Sequence, residues 1–230
     1  MSLRELLASR STTLADLRGD ILLVHSDLSG TRQLYAMPAA GGEPRQLTDF
    51  PEPVGEARLA GVGAVIEVDH GGDERHQLYL LPLDRPAPVT STAELEAVTS
   101  DPRYVHRLAG IDEDCGLVAY LSNARNGVDF DLWLVRRSTG ERRLLHAPGG
   151  YCVPASGFSP GGRFVSILRL GTRPLDTDLL LVEVATGEAR LVLAHPDEAA
   201  LVGAPAWVDA TQCFVSSNVG RDFAAVVRYD

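Results

Sequence analysis

What most constrains this chain is a unit of four short strands that returns along its length. The unit is clearest between Gly149 and Ala194. There Tyr151 to Phe158, Arg163 to Leu170, Thr177 to Val184 and Ala189 to Leu193 read as strands. The turn Ser159-Pro160-Gly161-Gly162 separates the first pair, and Ala185-Thr186-Gly187-Glu188 separates the last, with glycine where a hairpin needs positive φ. Val165, Ile167, Leu179, Leu181, Leu191 and Leu193 follow the two-residue period or dense apolar runs of buried strands, not a helical period. Third strands elsewhere align on Gln33-Leu34-Tyr35, Gln77-Leu78-Tyr79, Asp131-Leu132-Trp133, Asp178-Leu179-Leu180 and, in degraded form, Ala224-Ala225-Val226. Their central positions lie 44, 54, 47 and 46 residues apart. Fourth strands agree at Pro44 to Leu47, Leu95 to Val98, Arg142 to Leu145 and Ala189 to Val192. A four-stranded meander repeating every 40–50 residues or so is a propeller blade. The expected fold is therefore all-β, a β-propeller of about five four-stranded antiparallel blades.

The blades fall at about 20–50, 56–100, 104–147, 150–195 and 200–230. A loop from Asp84 to Ala93 accounts for the one long step. Inner-strand candidates are small: Leu59-Ala60-Gly61, Leu108-Ala109-Gly110, Ala155-Ser156-Gly157 and Gly203-Ala204-Pro205-Ala206. Blades converge on an axis, so their innermost strands have least room for side chains. Residues 1–19 form an N-terminal segment that reads two ways. Leu3, Leu6 and Leu7 suit one face of a short helix, whereas Arg4 to Ala8 resembles the fourth strand Arg142 to His146. Thr13 to Leu17 is the candidate first inner strand. The fifth unit shows no fourth strand before Asp230. Either Arg4 to Ala8 supplies it and closes a five-bladed ring, or the chain is part of a longer propeller.

Charge and composition remove several functions. All 21 basic residues are arginine, which excludes a Walker lysine, a Schiff-base lysine and a Ser-Lys dyad. A net charge of −10 argues against nucleic-acid or anionic-membrane partners, which need a cationic surface. No apolar run approaches the ~20 residues of a membrane span, and the N-terminus lacks a signal-peptide core, so a cytoplasmic protein is expected. Cys115, Cys152 and Cys213 lie in separate blades without CxxC spacing and read as reduced strand residues. The six histidines show no HxH or HExxH spacing, and neither a metal nor a cofactor is expected.

Several of these segments look familiar together. Ser26-Asp27-Leu28-Ser29-Gly30-Thr31-Arg32-Gln33-Leu34-Tyr35, followed by Gly41-Gly42-Glu43-Pro44-Arg45-Gln46-Leu47-Thr48, resembles the blades of TolB-like propellers. Phe158-Ser159-Pro160-Gly161-Gly162-Arg163 resembles the FSPDGR turn of those repeats, with Gly161 in place of Asp. With Asn123 to Asp131 and Gly203 to Trp207 added, nearly the whole chain is similar to the N-terminal propeller of prolyl-oligopeptidase-family (S9) serine peptidases, especially the acylaminoacyl-peptidase-like branch. That resemblance implies a non-catalytic portion that gates peptide entry to an α/β-hydrolase domain missing from this chain. The alternative is a self-contained five-bladed scaffold for protein interaction. Peptides and that hydrolase domain are the implied partners, with association through an unpaired blade edge as a further expectation. A propeller glycosidase is weaker, because no acidic pair is marked out for acid/base work.

No catalytic residue is expected here. Gly157-Phe158-Ser159-Pro160-Gly161 matches GxSxG, and Asp176 and His195 follow in hydrolase order. A nucleophile elbow, however, needs a helix after serine and a backbone N–H on the next residue, and Pro160 has none. The binding candidates are five arginines, one in each loop between second and third strands: Arg32, Arg75, Arg125, Arg173 and Arg221. On one face they would form a ring for carboxylates. Asp27, Asp73, Asp129, Asp176 and Asp222 share those loops, and local Arg–Asp pairing would neutralise the ring.

Overall fold

The computed structural model describes residues 10–114 and 116–230. Its strands form five sheets in which each strand pairs antiparallel with its neighbour in sequence. The first sheet holds β1 (Thr12–Arg18), β2 (Ile21–Ser26), β3 (Gln33–Pro38) and β4 (Arg45–Gln46). The second holds β5 (Ala57–Ala60), β6 (Gly63–Val68), β7 (Gln77–Pro82) and β8 (Glu96–Ala97). The third is β9 (His106–Asp112), β10 (Leu117–Ser122), β11 (Asp131–Arg136) and β12 (Arg142–His146), and the fourth is β13 (Cys152–Phe158), β14 (Phe164–Leu170), β15 (Thr177–Glu183) and β16 (Ala189–Val192). The fifth has three strands among the described residues: β17 (Ala206–Trp207), β18 (Cys213–Ser217) and β19 (Ala225–Tyr229). The segment Arg4 to Ala8, a candidate closing strand, lies outside the described residues. No helix among those residues is long and apolar enough to cross a membrane.

The chain divides into two compact units after Pro102. In the first, Leu23, Leu34, Leu47, Phe50, Val54, Ala57, Leu59, Ile66 and Leu81 form one core between two sheets. The inner strands are tied directly. Arg58 donates to the Ala15 carbonyl at 2.8 Å, and the Leu59 amide donates to the Asp16 carboxylate at 2.8 Å. A bulge between Leu14 and Asp16 brings that carboxylate into place.

Glutamine opens β3 and β7 for a structural reason. Gln33 is 1% exposed. Its Oε1 accepts from Thr48 Oγ1 and the Phe50 amide, while its Nε2 donates to the Phe50 and Glu52 carbonyls. Thr48 Oγ1 in turn accepts from the Leu34 amide at 3.0 Å. Gln77 and Thr99 repeat the arrangement, with the Leu78 amide 2.9 Å from Thr99 Oγ1. The threonine turns inward to make this clasp, and β4 and β8 are two residues long, shorter than the Pro44–Leu47 and Leu95–Val98 strands expected from sequence. The Asp84–Ala93 loop is not idle either. Val89 bridges in parallel to Thr48, is fully buried, and precedes a 3-10 turn (Thr92–Glu94) capped by Ser91. It covers the outer edge of the first sheet.

Among the described residues of the second unit, buried side chains of adjacent sheets meet. Ala119, Leu121, Leu132 and Leu134 meet Val165, Ile167, Leu180 and Val182 between the third and fourth. Phe164, Leu179, Leu181 and Val192 meet Val202, Cys213 and Val215 between the fourth and fifth. The inner strands β9 and β13 approach so closely that a Cβ on Gly110 would lie 2.8 Å from the Gly157 Cα. Gly157 has φ +76° beside a bulge in β13, a conformation glycine takes at no steric cost. The hub glycines thus satisfy the crowding argument.

Candidate functional site

The clasp position that is Gln33 and Gln77 in the first unit becomes Asp131 and Asp178 in the second, and arginine replaces threonine as partner. Asp131 is fully buried, and Arg125 grips it from both sides, Nε to Oδ2 at 2.6 Å and Nη2 to Oδ1 at 3.2 Å. Arg125 also reaches Asp129 at 3.1 Å. The Asn126 side chain, the Gly150 amide and Arg125 together hold the Asp129 carboxyl below the usual range. Asp178 receives Arg169, Nε at 3.1 Å and Nη2 at 2.6 Å, both to Oδ2.

Around Asp178 this replacement builds a cavity of about 290 Å³, lined by Arg169, Arg173, Asp176, Asp178, Leu191, Ala194, His195 and Pro196. The turn after β16 closes it. Leu193 adopts φ +53°, costly for a branched side chain, and this turn brings its carbonyl 2.9 Å from His195 Nδ1. His195 Nε2 lies 3.1 Å from Asp176 Oδ1 and 3.8 Å from Asp178 Oδ1. Asp176 also accepts from the Ala200 amide at 3.3 Å and from Arg173 Nε at 3.2 Å. Burial pushes the Asp176 carboxyl up, but the Ala200, Arg173 and His195 donors outweigh it, and the net displacement is downward.

The five loop arginines differ in what they do. Arg125 is a clasp partner. Arg173 binds Asp176 and, through Nη2, the Glu198 carbonyl at 2.5 Å. Arg32 donates to the Val54 carbonyl at 2.9 Å, and Arg221 to the Val219 carbonyl at 3.4 Å. Arg75 is exposed, with its amide on Asp73 Oδ1 at 2.9 Å. Two of the five therefore pair with carboxylates in their own loops. Among the described residues no group of three or more His, Cys, Asp or Glu side chains is arranged to hold a metal.

Ser159 sits in the turn between β13 and β14, where Oγ accepts the Phe164 amide at 3.0 Å and its carbonyl accepts the Gly162 amide at 2.9 Å. A strand follows it, as expected. Asp176 and His195 do meet, but at the far end of β14, about 20 Å away at ~3.3 Å per residue. The Asp–His pair was visible in sequence only as two members of a rejected triad. Its neighbours in the fold are Arg173, 3.2 Å from Asp176, and Asp178, 3.8 Å from His195; in sequence Asp178 stands at the clasp position of the repeat alignment and Arg173 among the loop arginines.

No protein-family model matches the chain, and no curated protein does. Solved structures do match. A putative TolB from Agrobacterium tumefaciens is 18% identical, with a TM-score of 0.65 over 96% of this chain and 77% of its own. A puromycin-hydrolysing peptidase from Mycobacterium tuberculosis is 17% identical, with a TM-score of 0.66 over 96% of this chain and 36% of its own. An oligogalacturonate lyase from Vibrio parahaemolyticus is 16% identical, with a TM-score of 0.66 over 92% and 60%. The fold is a β-propeller. Proteins this distant share that fold with very different activities, so the propeller alone carries no chemistry. The chain spans about a third of the peptidase and over three quarters of the TolB.

Proposed function

We propose that this propeller is the non-catalytic, substrate-gating portion of an S9-type serine peptidase. In that reading it works in the cytoplasm beside an α/β-hydrolase domain outside these residues and restricts entry to short peptides. The observation carrying the reading is the match of 96% of this chain to 36% of the puromycin-hydrolysing peptidase, together with the repeat motifs around Gln33, Gln77 and Ser159. The test is the coding sequence after Asp230, joined to an assay on peptide anilides. A downstream hydrolase domain whose activity on long peptides rises when the propeller is deleted supports gating. A stop codon at that point refutes it.

The second reading is a self-contained scaffold, favoured by the match to 77% of the TolB chain. It predicts that this chain captures a protein partner with no hydrolase attached. Association through the free edge of β19 belongs to either reading, since β19 pairs only with β18 among the described residues.

A further inference from the structure

The sheets of the second unit, residues 103–230, have two ends of unlike composition. An antiparallel meander sends the loops between second and third strands out of one end, together with the linkers from each fourth strand to the next sheet. The turns between first and second and between third and fourth strands leave the other. Six large apolar side chains stand exposed at the first end. Val128, Leu175 and Phe223, exposed by 73%, 76% and 85%, sit in the β10–β11, β14–β15 and β18–β19 loops. Tyr151, Leu170 and Leu201 are exposed on the linkers and strand end between them. At the turns of the opposite end, Val208 is the one exposed large apolar side chain among the described residues of this unit. Hydrogen bonds join the six into a continuous arc. The Phe130 amide donates to the Gly150 carbonyl at 3.0 Å, and the Leu170 amide to the Tyr151 carbonyl at 2.9 Å. The Thr177 amide donates to the Ala200 carbonyl at 2.9 Å, and the Leu201 amide to Asn218 Oδ1 at 2.7 Å. Leu175 adopts φ +59°, a strained conformation for a branched side chain, and most of its surface stays in water.

We infer that this end of the second unit is an interface with a second copy of the chain, joined about a two-fold axis. The area is sufficient. The six side chains together expose on the order of 600 Å². An interface of standard size covers about 800 Å² per partner, and the polar rim supplies the remainder. Charge lets the patch meet itself. Arg125, Arg173 and Arg221 stand around the arc with Asp129, Asp197 and Asp222, so both signs recur along it. A two-fold axis can therefore bring arginines of one copy to aspartates of its partner. The inference is separate from pairing at the β19 edge, goes beyond the gating and scaffold readings, and survives the failure of either.

The test is sedimentation velocity of the whole chain from about 1 to 300 µM. A concentration-dependent shift to twice the monomer mass is expected. Phe223→Ser and Leu175→Asn should each weaken dimerisation about tenfold or more. Asparagine tolerates the left-handed region, so Leu175→Asn should keep or raise the melting temperature of the dilute monomer. Leu144→Ser, on β12 and away from these loops, should leave the dimer unchanged. A monomer at every concentration would overturn the inference and leave the face to a different protein, a lipid surface or a downstream domain. A dimer lost in Val226→Lys, on β19, but kept by both loop variants would also overturn it, in favour of association through that strand. So would a dilute melting temperature lowered by Leu175→Asn, which would assign that leucine to the fold.

Discussion

Replacing Gly110 with alanine tests the crowded hub most directly. The added Cβ would lie 2.8 Å from the Gly157 Cα, 3.2 Å from the Phe158 amide nitrogen and 3.3 Å from a Phe158 ring carbon. Carbon atoms pack best at about 3.5–4.0 Å, so β9 and β13 must separate by most of an ångström. Two of the three obstructing atoms are backbone, which no rotamer change relieves. Overpacking of this kind costs about 1–3 kcal/mol, and a chain of this size loses about 2–4 °C per kcal/mol. Thermal unfolding of Gly110→Ala should therefore fall by about 2–12 °C. Gly149→Ala is the control: its φ is +73° with nothing within 4 Å of the added Cβ, so it reports backbone strain alone. Gly157→Ala combines φ +76° with a 3.1 Å approach to the Ala109 carbonyl and should lose more than Gly149→Ala. An unaltered melting temperature for Gly110→Ala would show that the inner strands are not packed as described.

Gln33→Ala strips four hydrogen bonds from a buried clasp and should cost about 2–4 kcal/mol in urea unfolding; a loss under ~0.5 kcal/mol would mean water replaces the amide. His25 is buried among Arg32, Glu56 and Arg58, and burial first, then the arginines, lowers its pKa below 6.5. The unfolded chain then takes up the proton first, so stability is full above about pH 6.5 and declines as the pH falls through the folded value. His25→Phe should flatten that decline, measured as the urea midpoint between about pH 7.5 and 5.5. Burial pushes the Cys152 thiol up to about 12 and raises that of Cys213. Mass spectrometry of the native protein after alkylation near neutral pH should find both unmodified, and labelled only after unfolding.

The blades were legible because strand burial writes a two-residue period and because glycine and alanine mark the hub. Four of the third strands were legible twice over, since β3, β7, β11 and β15 carry a clasp residue, Gln33, Gln77, Asp131 or Asp178, at or beside their start. Yet sequence did not say that Gln33 serves Thr48, because its amide group is also held by the backbone of the Phe50–Glu52 linker, which carries no side-chain signature. The shortening of β4 and β8 accompanies the same bonds. The five loop arginines were found by position, but Arg125 could be told from Arg173 only by where their partners fold. The cavity itself escaped sequence reasoning: His195 reaches Asp176 through a turn that puts a leucine at φ +53°, and nothing in a run of Leu-Val-Leu-Ala-His announces it.

The change from glutamine to aspartate at the head of the third strand bears on how such repeats can be recombined. Gln33 depends on a threonine downstream of it, whereas Asp131 and Asp178 depend on arginines upstream. A graft that carried β11 alone into the first blade would set a carboxylate against the Phe50 and Glu52 carbonyls and leave its guanidinium behind. Exchange between the halves of this chain must move key and keyhole as one piece, from the end of one second strand to the linker beyond the next fourth.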